Sequence, residues 1–95
     1  MTNPVFTDDY QRIARRVASA RRKAGLSQRD VATRLGRSQS HVALIEKQQR
    51  RLDVREFYLL CRALEIDPIA FFAELVGDFD ALRAGGAAET SAKTP

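Results

Sequence analysis

"SQRDVATRLGRSQSHVALIEK", residues 27–47, decides the fold. Two short amphipathic runs flank a Gly36-Arg37-Ser38 break, and each opens on the same pair: Ser27-Gln28, then Ser38-Gln39. A serine ahead of an apolar-periodic run is a helix N-cap, because its side-chain oxygen accepts from a free backbone N–H. A glycine behind such a run supplies the left-handed residue that closes a helix. The spacing therefore predicts one helix burying Val31, Ala32 and Leu35, a three-residue turn, and a second helix with Val42 and Ile45 inward. Helices of about eight residues do not hold shape alone. They need a partner surface, and small Ala32 lets them approach one another closely.

The flanking sequence supplies that surface. Thr7 or Asp8 caps a preceding helix whose inward side is Tyr10, Ile13, Val17, Ala20 or Arg21, and Ala24, ended by Gly25. Asp53 and Glu56 form an Asp-x-x-Glu capping box, opening a helix with Phe57, Leu60, Cys61 and Leu64 on its core face. Asp67-Pro68 is a cap followed by proline at the first helical position. From there Phe72, Leu75, Val76, Phe79 and Leu82 keep one stripe going across Gly77. Either this fifth helix runs on to about Arg83, or Asp78 caps a short sixth. No polar–apolar alternation reads as a strand. The expectation is an all-α, compact five-helix domain over residues 7–84, with a helix-turn-helix core at 27–46. Residues 1–6 form an arm, 67–84 a helical dimerisation segment, and "GGAAETSAKTP", 85–95, a disordered tail.

At 95 residues the chain has room for one modest core. Its apolar runs are too short to span a bilayer, and "MTNPVFTDDY" lacks the build of a secretory signal. One cysteine, Cys61, excludes an internal disulfide framework and a cysteine-based zinc cluster. A cytoplasmic, nucleoid-associated protein is expected. Charge is uneven: residues 1–55 carry thirteen Lys/Arg against five Asp/Glu, residues 56–95 three against seven. Such a basic half suits a polyanion. An enzyme is not expected, because a single histidine, a core-facing cysteine and scattered carboxylates make no catalytic constellation. No glycine-rich phosphate loop, cofactor site, small-molecule site or metal site is evident.

Two short crossed helices suit duplex DNA, the first lying over the backbone and the second entering the major groove. Here "GLSQRDVATRLGRSQSHVALIE", with Arg21 upstream and "FYLLCRALEIDP" downstream, resembles the Cro and lambda-repressor-like (Xre) helix-turn-helix family, over roughly residues 10–75. The resemblance implies that Gln28 contacts phosphate and braces Gln39, the first residue of the recognition helix, and that Gln39 reads a base. Glutamine matches the N6/N7 edge of adenine. Ser40 and Leu44 take the other base-facing positions. Leu44 either meets a thymine methyl or is partly buried, and His41 lies near phosphate or a base edge. Arg21 and Glu46 match a structural ion pair of the family.

Backbone contacts fall to Ser27, Gln28, Arg37, Lys47, Arg50 and Arg51. Three positions depart from the family: Gln48 and Glu65 stand where glycine is usual, and Leu52 where proline is usual. The resemblance further implies a homodimer on a palindromic operator. The candidate interface is Leu59, Phe72, Leu75, Val76, Phe79 and Leu82; alternatively the end of the chain folds back over its own core. Repression is the expected outcome. An antitoxin role beside a toxin, a restriction-modification controller role, or contact with RNA polymerase stays open.

Overall fold

A computed structural model describes residues 7–86. Five helices follow one another: α1 Asp8–Lys23, α2 Gln28–Leu35, α3 Gln39–Glu46, α4 Val54–Ala63 and α5 Pro68–Gly86. There is no strand among the described residues. The expected five-helix all-α fold is the observed one. The arm 1–6 and most of the tail lie outside the described residues, while Gly85 and Gly86 belong to α5.

Each start is chemically specified. Ser27 Oγ accepts from Asp30 N–H at 3.0 Å, and Asp30 Oδ2 accepts from Ser27 N–H at 2.8 Å, a reciprocal capping box. Asp53 and Glu56 repeat the arrangement at α4, at 2.7 and 3.2 Å. Asp67 Oδ1 accepts from Ile69 N–H at 3.1 Å, ahead of Pro68. Thr7 is the N-cap of α1 by its backbone, but its hydroxyl is turned to Asp9 instead of to the helix.

The helix ends share one solution. Leu26, Arg37, Gln49 and Ile66 each donate a backbone N–H to the carbonyl five residues back, at 2.8 to 3.1 Å. That bond requires a left-handed residue just before each donor. Gly25 (φ 75°) and Gly36 (φ 68°) supply it for α1 and α2; Gln48 (φ 67°) and Glu65 (φ 64°) supply it for α3 and α4. The two departures from glycine therefore change the residue and keep the turn.

The core is Val17, Val31, Ala32, Val42, Ile45, Leu60, Cys61, Ala63, Leu64, Phe71 and Leu75, with Ile13, Leu35, Leu52, Phe57 and Phe79 packed around it. On α1 the buried stripe is Ala14, Val17 and Ala18, and Ala24 is exposed because the helix has already ended there. Phe57 joins α4 to α5, stacked on Phe71 at 5.8 Å and edge-on to Phe72 at 6.1 Å.

α5 does not break at Gly77, so no sixth helix starts at Asp78 among the described residues. A mid-helix glycine costs about 1 kcal/mol relative to alanine. Docking on both sides of it offsets that cost. Leu75 is buried and Phe79 half-buried. Asp78 takes a two-pronged hydrogen bond from Arg16, Nε to Oδ2 at 2.5 Å and Nη2 to Oδ1 at 2.9 Å. Arg12 adds a contact to the same carboxylate at 3.8 Å, and Arg16 Nη1 reaches Glu74 at 3.0 Å. Part of the acidic C-terminal half thus neutralises the basic N-terminal half inside the fold.

Candidate nucleic-acid interface

α3 is held from behind and bare in front. Val42 and Ile45 are each 1% exposed, whereas Gln39, Ser40 and Leu44 are exposed. At roughly 100° per residue, Gln39, Ala43, Ser40 and Leu44 spread over an arc of roughly 140°. The three candidate base-facing side chains therefore share one outward face. Leu44, 38% exposed, stands on that face and is not folded into the core. His41 sits at its edge, half-buried. Burial, then the charges of Arg50 and Arg37, push the imidazole below its ordinary pKa against an opposing pull from Glu56. It is neutral near pH 7.

The twin Ser-Gln starts do different work. In α2 the third helical residue is Asp30, whose carboxylate closes the capping box; hydrogen bonds from the Ser27 backbone and hydroxyl hold its pKa below the usual carboxylate range. In α3 the third residue is His41, Ser38 Oγ accepts from its N–H at 3.2 Å, and the first turn holds no acid. The positive end of the α3 dipole is left unneutralised, which favours an anion there. Ser27 is exposed, but its hydroxyl is already engaged with Asp30 in the cap on both its acceptor and its donor side.

The α2–α3 unit is locked to α1 through one carboxylate. Arg21 Nε and Nη2 bind Glu46 Oε2 and Oε1 at 2.7 and 3.1 Å, while Arg21 Nη1 donates to the Leu26 carbonyl at 2.9 Å. The expected pair is formed, with side-chain exposures of only 13% and 7%. The hydrogen bonds to Glu46 raise the pKa of Arg21, so the guanidinium stays charged. Gln28 Nε2 donates to Glu46 Oε1 at 3.0 Å. Its amide N–H is thus engaged at the end of α3. Glu46 Oε1 accepts from both Arg21 Nη2 and Gln28 Nε2, one donor for each of its lone pairs.

The flanking cations divide into two kinds. Arg37, Lys47 and Arg51 are exposed and make no ion pair among the described residues. Arg50 is half-buried, its guanidinium paired with Glu56 and its carbonyl accepting from Tyr10 Oη at 2.9 Å. It anchors the α3–α4 loop, and its charge is partly spent before any phosphate arrives. Arg55 is the cation that sequence reading passed over. It lines a small hollow together with Arg37 and His41, bringing α4 beside the recognition helix. Periodicity marks Arg55 only as a solvent-facing position, so nothing local distinguishes it.

The candidate dimer stripe is split by the fold. Leu75 is 2% exposed inside the chain's own core, and Phe79 packs against that core. Leu59 lies on the other side of α4, beside Leu35 and Arg34 of α2. Phe72 and Val76 are 51% and 38% exposed, and Leu82 is half-buried. Cys61 is fully buried, and burial pushes its thiol up to about 11, which leaves it inert. No cluster of metal-ligating side chains occurs among the described residues, and no described helix is long and apolar enough to cross a membrane.

Comparison with known proteins agrees with this geometry. The helix-turn-helix family model matches residues 17–71. An XRE-family-like protein from Pseudomonas syringae pv. tomato str. DC3000 is 42% identical, over 73% of this chain and 84% of that one, with a TM-score of 0.69. The restriction-modification controller protein C.AhdI from Aeromonas hydrophila is 30% identical over 66% of this chain and 91% of its own, TM-score 0.62. The controller C.Esp1396I, in a tetramer with its natural 35 base-pair operator, shares the fold at 21% identity, over 75% of this chain and 93% of that one, TM-score 0.69. No curated protein matches. The chain belongs to the helix-turn-helix family of the Cro/lambda-repressor (Xre) type, whose members are DNA-binding regulators of transcription.

Proposed function

We infer that the protein represses transcription by binding a palindromic operator as a homodimer, with α3 of each copy in the major groove. The observation that carries this reading is the outward face of α3. Gln39, Ser40 and Leu44 stand together on it above a buried Val42–Ile45 seam, at a helix start that holds no acid. Gln39 reads an adenine edge, Leu44 meets a thymine methyl, and Ser40 bonds either a base or a neighbouring phosphate. Arg37, Lys47 and Arg51 grip phosphates, with Arg55 beside them. Arg50 and Gln28 act chiefly by holding α3 and its following loop.

Kinship with C.AhdI favours a second reading, a controller of a restriction-modification operon. Both readings share the same chemistry on DNA and differ in the genes under control. Selection of bound fragments from random duplex DNA at fixed salt tests the shared part. The expected product is a two-fold site whose half-sites lie one helical turn, about 34–36 Å, apart. Recovery of sequences with no common motif would refute sequence-specific binding.

A further inference from the structure

We propose that Tyr10 of α1 is a positioning residue for DNA binding: its hydroxyl fixes the backbone of the α3–α4 loop, so that Arg51 is aimed at a phosphate before the duplex arrives. This rests on the reading of Arg51 as a phosphate grip given above. The loop from Lys47 to Asp53 is tied down at its two ends. At the front, the Lys47 and Gln49 N–H groups donate to the Ala43 and Leu44 carbonyls at 2.9 and 2.8 Å. At the back, Asp53 is locked in the α4 capping box. Between them, residues 50–52 make no backbone–backbone hydrogen bond among the described residues. Tyr10 Oη fills that gap, donating to the Arg50 carbonyl at 2.9 Å across 40 positions of sequence.

The Arg50 side chain cannot do the same work. Its guanidinium pairs with Glu56 of α4, but it sits beyond several rotatable bonds and leaves Nε buried without a hydrogen-bond partner. Such a pair holds the side chain and leaves the peptide free to turn. Tyr10 acts on the peptide itself, through a side chain with only two torsions. Burial raises the pKa of the phenol, outweighing the Leu52 N–H and the charges of Arg51 and Arg50, which pull it down. The hydroxyl therefore keeps the proton it donates, and Arg51 stands near enough for its charge to be felt there. Arg51 itself is exposed and makes no ion pair among the described residues.

α1 thus fastens the recognition unit twice. Arg21 clamps Glu46 in the last turn of α3, and Tyr10 grips the loop that follows it. The two lie about three helical turns apart, so their side chains leave α1 on the same side. One rigid helix then sets where the cation of the loop stands relative to the recognition face. An arginine placed in advance loses less freedom on binding than a mobile one. Lys47 needs no such help, because the closing bond of α3 already holds its backbone.

Tyr10→Phe removes the hydroxyl and keeps the ring. Affinity is titrated against salt, on a duplex carrying the selected site and on a scrambled duplex, for wild type, Tyr10→Phe, Arg51→Ala, Lys47→Ala and Tyr10→Phe combined with each of the last two. Tyr10→Phe is expected to weaken both duplexes alike, by about three- to tenfold, the range that one neutral hydrogen bond carries. It should flatten the slope of log K against log salt by part of the roughly 0.9 that Arg51 supplies. On top of Arg51→Ala it should add nothing, whereas on top of Lys47→Ala its loss should multiply in full. A purely structural role would lower the urea midpoint and leave the salt slope alone. In free wild type, backbone order parameters at residues 50–52 should already match those of α3, and in Tyr10→Phe they should fall while those of α3 hold. A wild-type slope in Tyr10→Phe or in Arg51→Ala overturns the proposal, as does a loss that multiplies with that of Arg51→Ala. A loop already mobile in free wild type overturns it without any variant. If selection yields no common motif while the coupling to Arg51 appears on the scrambled duplex, the operator reading falls and the positioning role stands. If a two-fold site is selected and Tyr10→Phe binds it like wild type, the operator reading stands and the positioning role falls.

Discussion

Arg21 of α1 and Glu46 at the last turn of α3 are joined by two parallel hydrogen bonds, and both side chains are largely shut away from water. Removing one partner strands the other charge, at a cost of about 3–5 kcal/mol. Arg21→Ala is therefore expected to lose most of the stability of so small a domain, and DNA binding with it, through the fold and not through a lost phosphate contact. Urea unfolding of Arg21→Ala, Glu46→Ala and the double variant checks this. The double variant should be less destabilised than the two singles combined, because it leaves no stranded charge. Full thermal stability in Arg21→Ala would refute the pairing.

The left-handed residues give an opposite pair of expectations. A non-glycine residue there costs roughly 1–2 kcal/mol, partly balanced by the chain entropy that glycine loses on folding. Gln48→Gly should stabilise the domain by about 1 kcal/mol. Glu65→Gly should gain less, since it gives up an exposed pair with Arg34 at 2.8 Å, worth about 0–1 kcal/mol. Gly36→Ala should destabilise by conformation alone, because an added Cβ meets nothing within 4 Å. Midpoints of urea denaturation rank the three. A loss of stability in Gln48→Gly would contradict the αL assignment.

Much of this fold was legible in the chain because its punctuation is local. Ser27, Ser38, Asp53 with Glu56, and Asp67-Pro68 mark starts within four residues, and Gly25 and Gly36 mark ends. Where the signal was not local, reading stopped short. Gln48 and Glu65 adopt a glycine conformation because the helix-closing bond demands it, which composition does not reveal. Gly77 looked like a possible break because the Asp78–Arg16 clamp lies 62 positions away in sequence. The period of the α5 stripe identified its apolar residues but not the surface each one meets, so Leu75 and Phe72 looked alike. Gln28 was legible as a brace; that it braces Glu46 depends on where α1 delivers Arg21.

The α1–α5 clamp sets an acid limit. The hydrogen bonds from Arg16 depress the pKa of Asp78 below the ordinary aspartate value. A depressed carboxylate means that the unfolded chain binds more protons, so the stabilisation is present above the unfolded pKa, about 3.9. It is lost as pH falls through the lower folded value. Asp78→Asn should lower stability at pH 7 and flatten the fall in stability between about pH 5 and pH 2 relative to wild type. Equal acid limbs in the two proteins, followed by circular dichroism, would show that the clamp carries no linkage.

The two kinds of cation near α3 predict different salt behaviour. Each phosphate neutralised contributes about 0.9 to the slope of log K against log salt. Lys47 and Arg51 are exposed, so Lys47→Ala and Arg51→Ala should each flatten the slope by about that amount and weaken all sequences alike. Arg12→Ala should leave the slope unchanged, because its charge faces Asp78 on the α5 side. The Gln39→Ala, Leu44→Ala double variant should do the reverse, keeping the slope while erasing preference at the base pairs it no longer reads, about 1–3 kcal/mol at each. Affinity titrations at four salt concentrations, on the selected site and on a scrambled duplex, separate these effects. Unchanged site preference in a folded Gln39→Ala, Leu44→Ala variant would mean that α3 is not the reading helix.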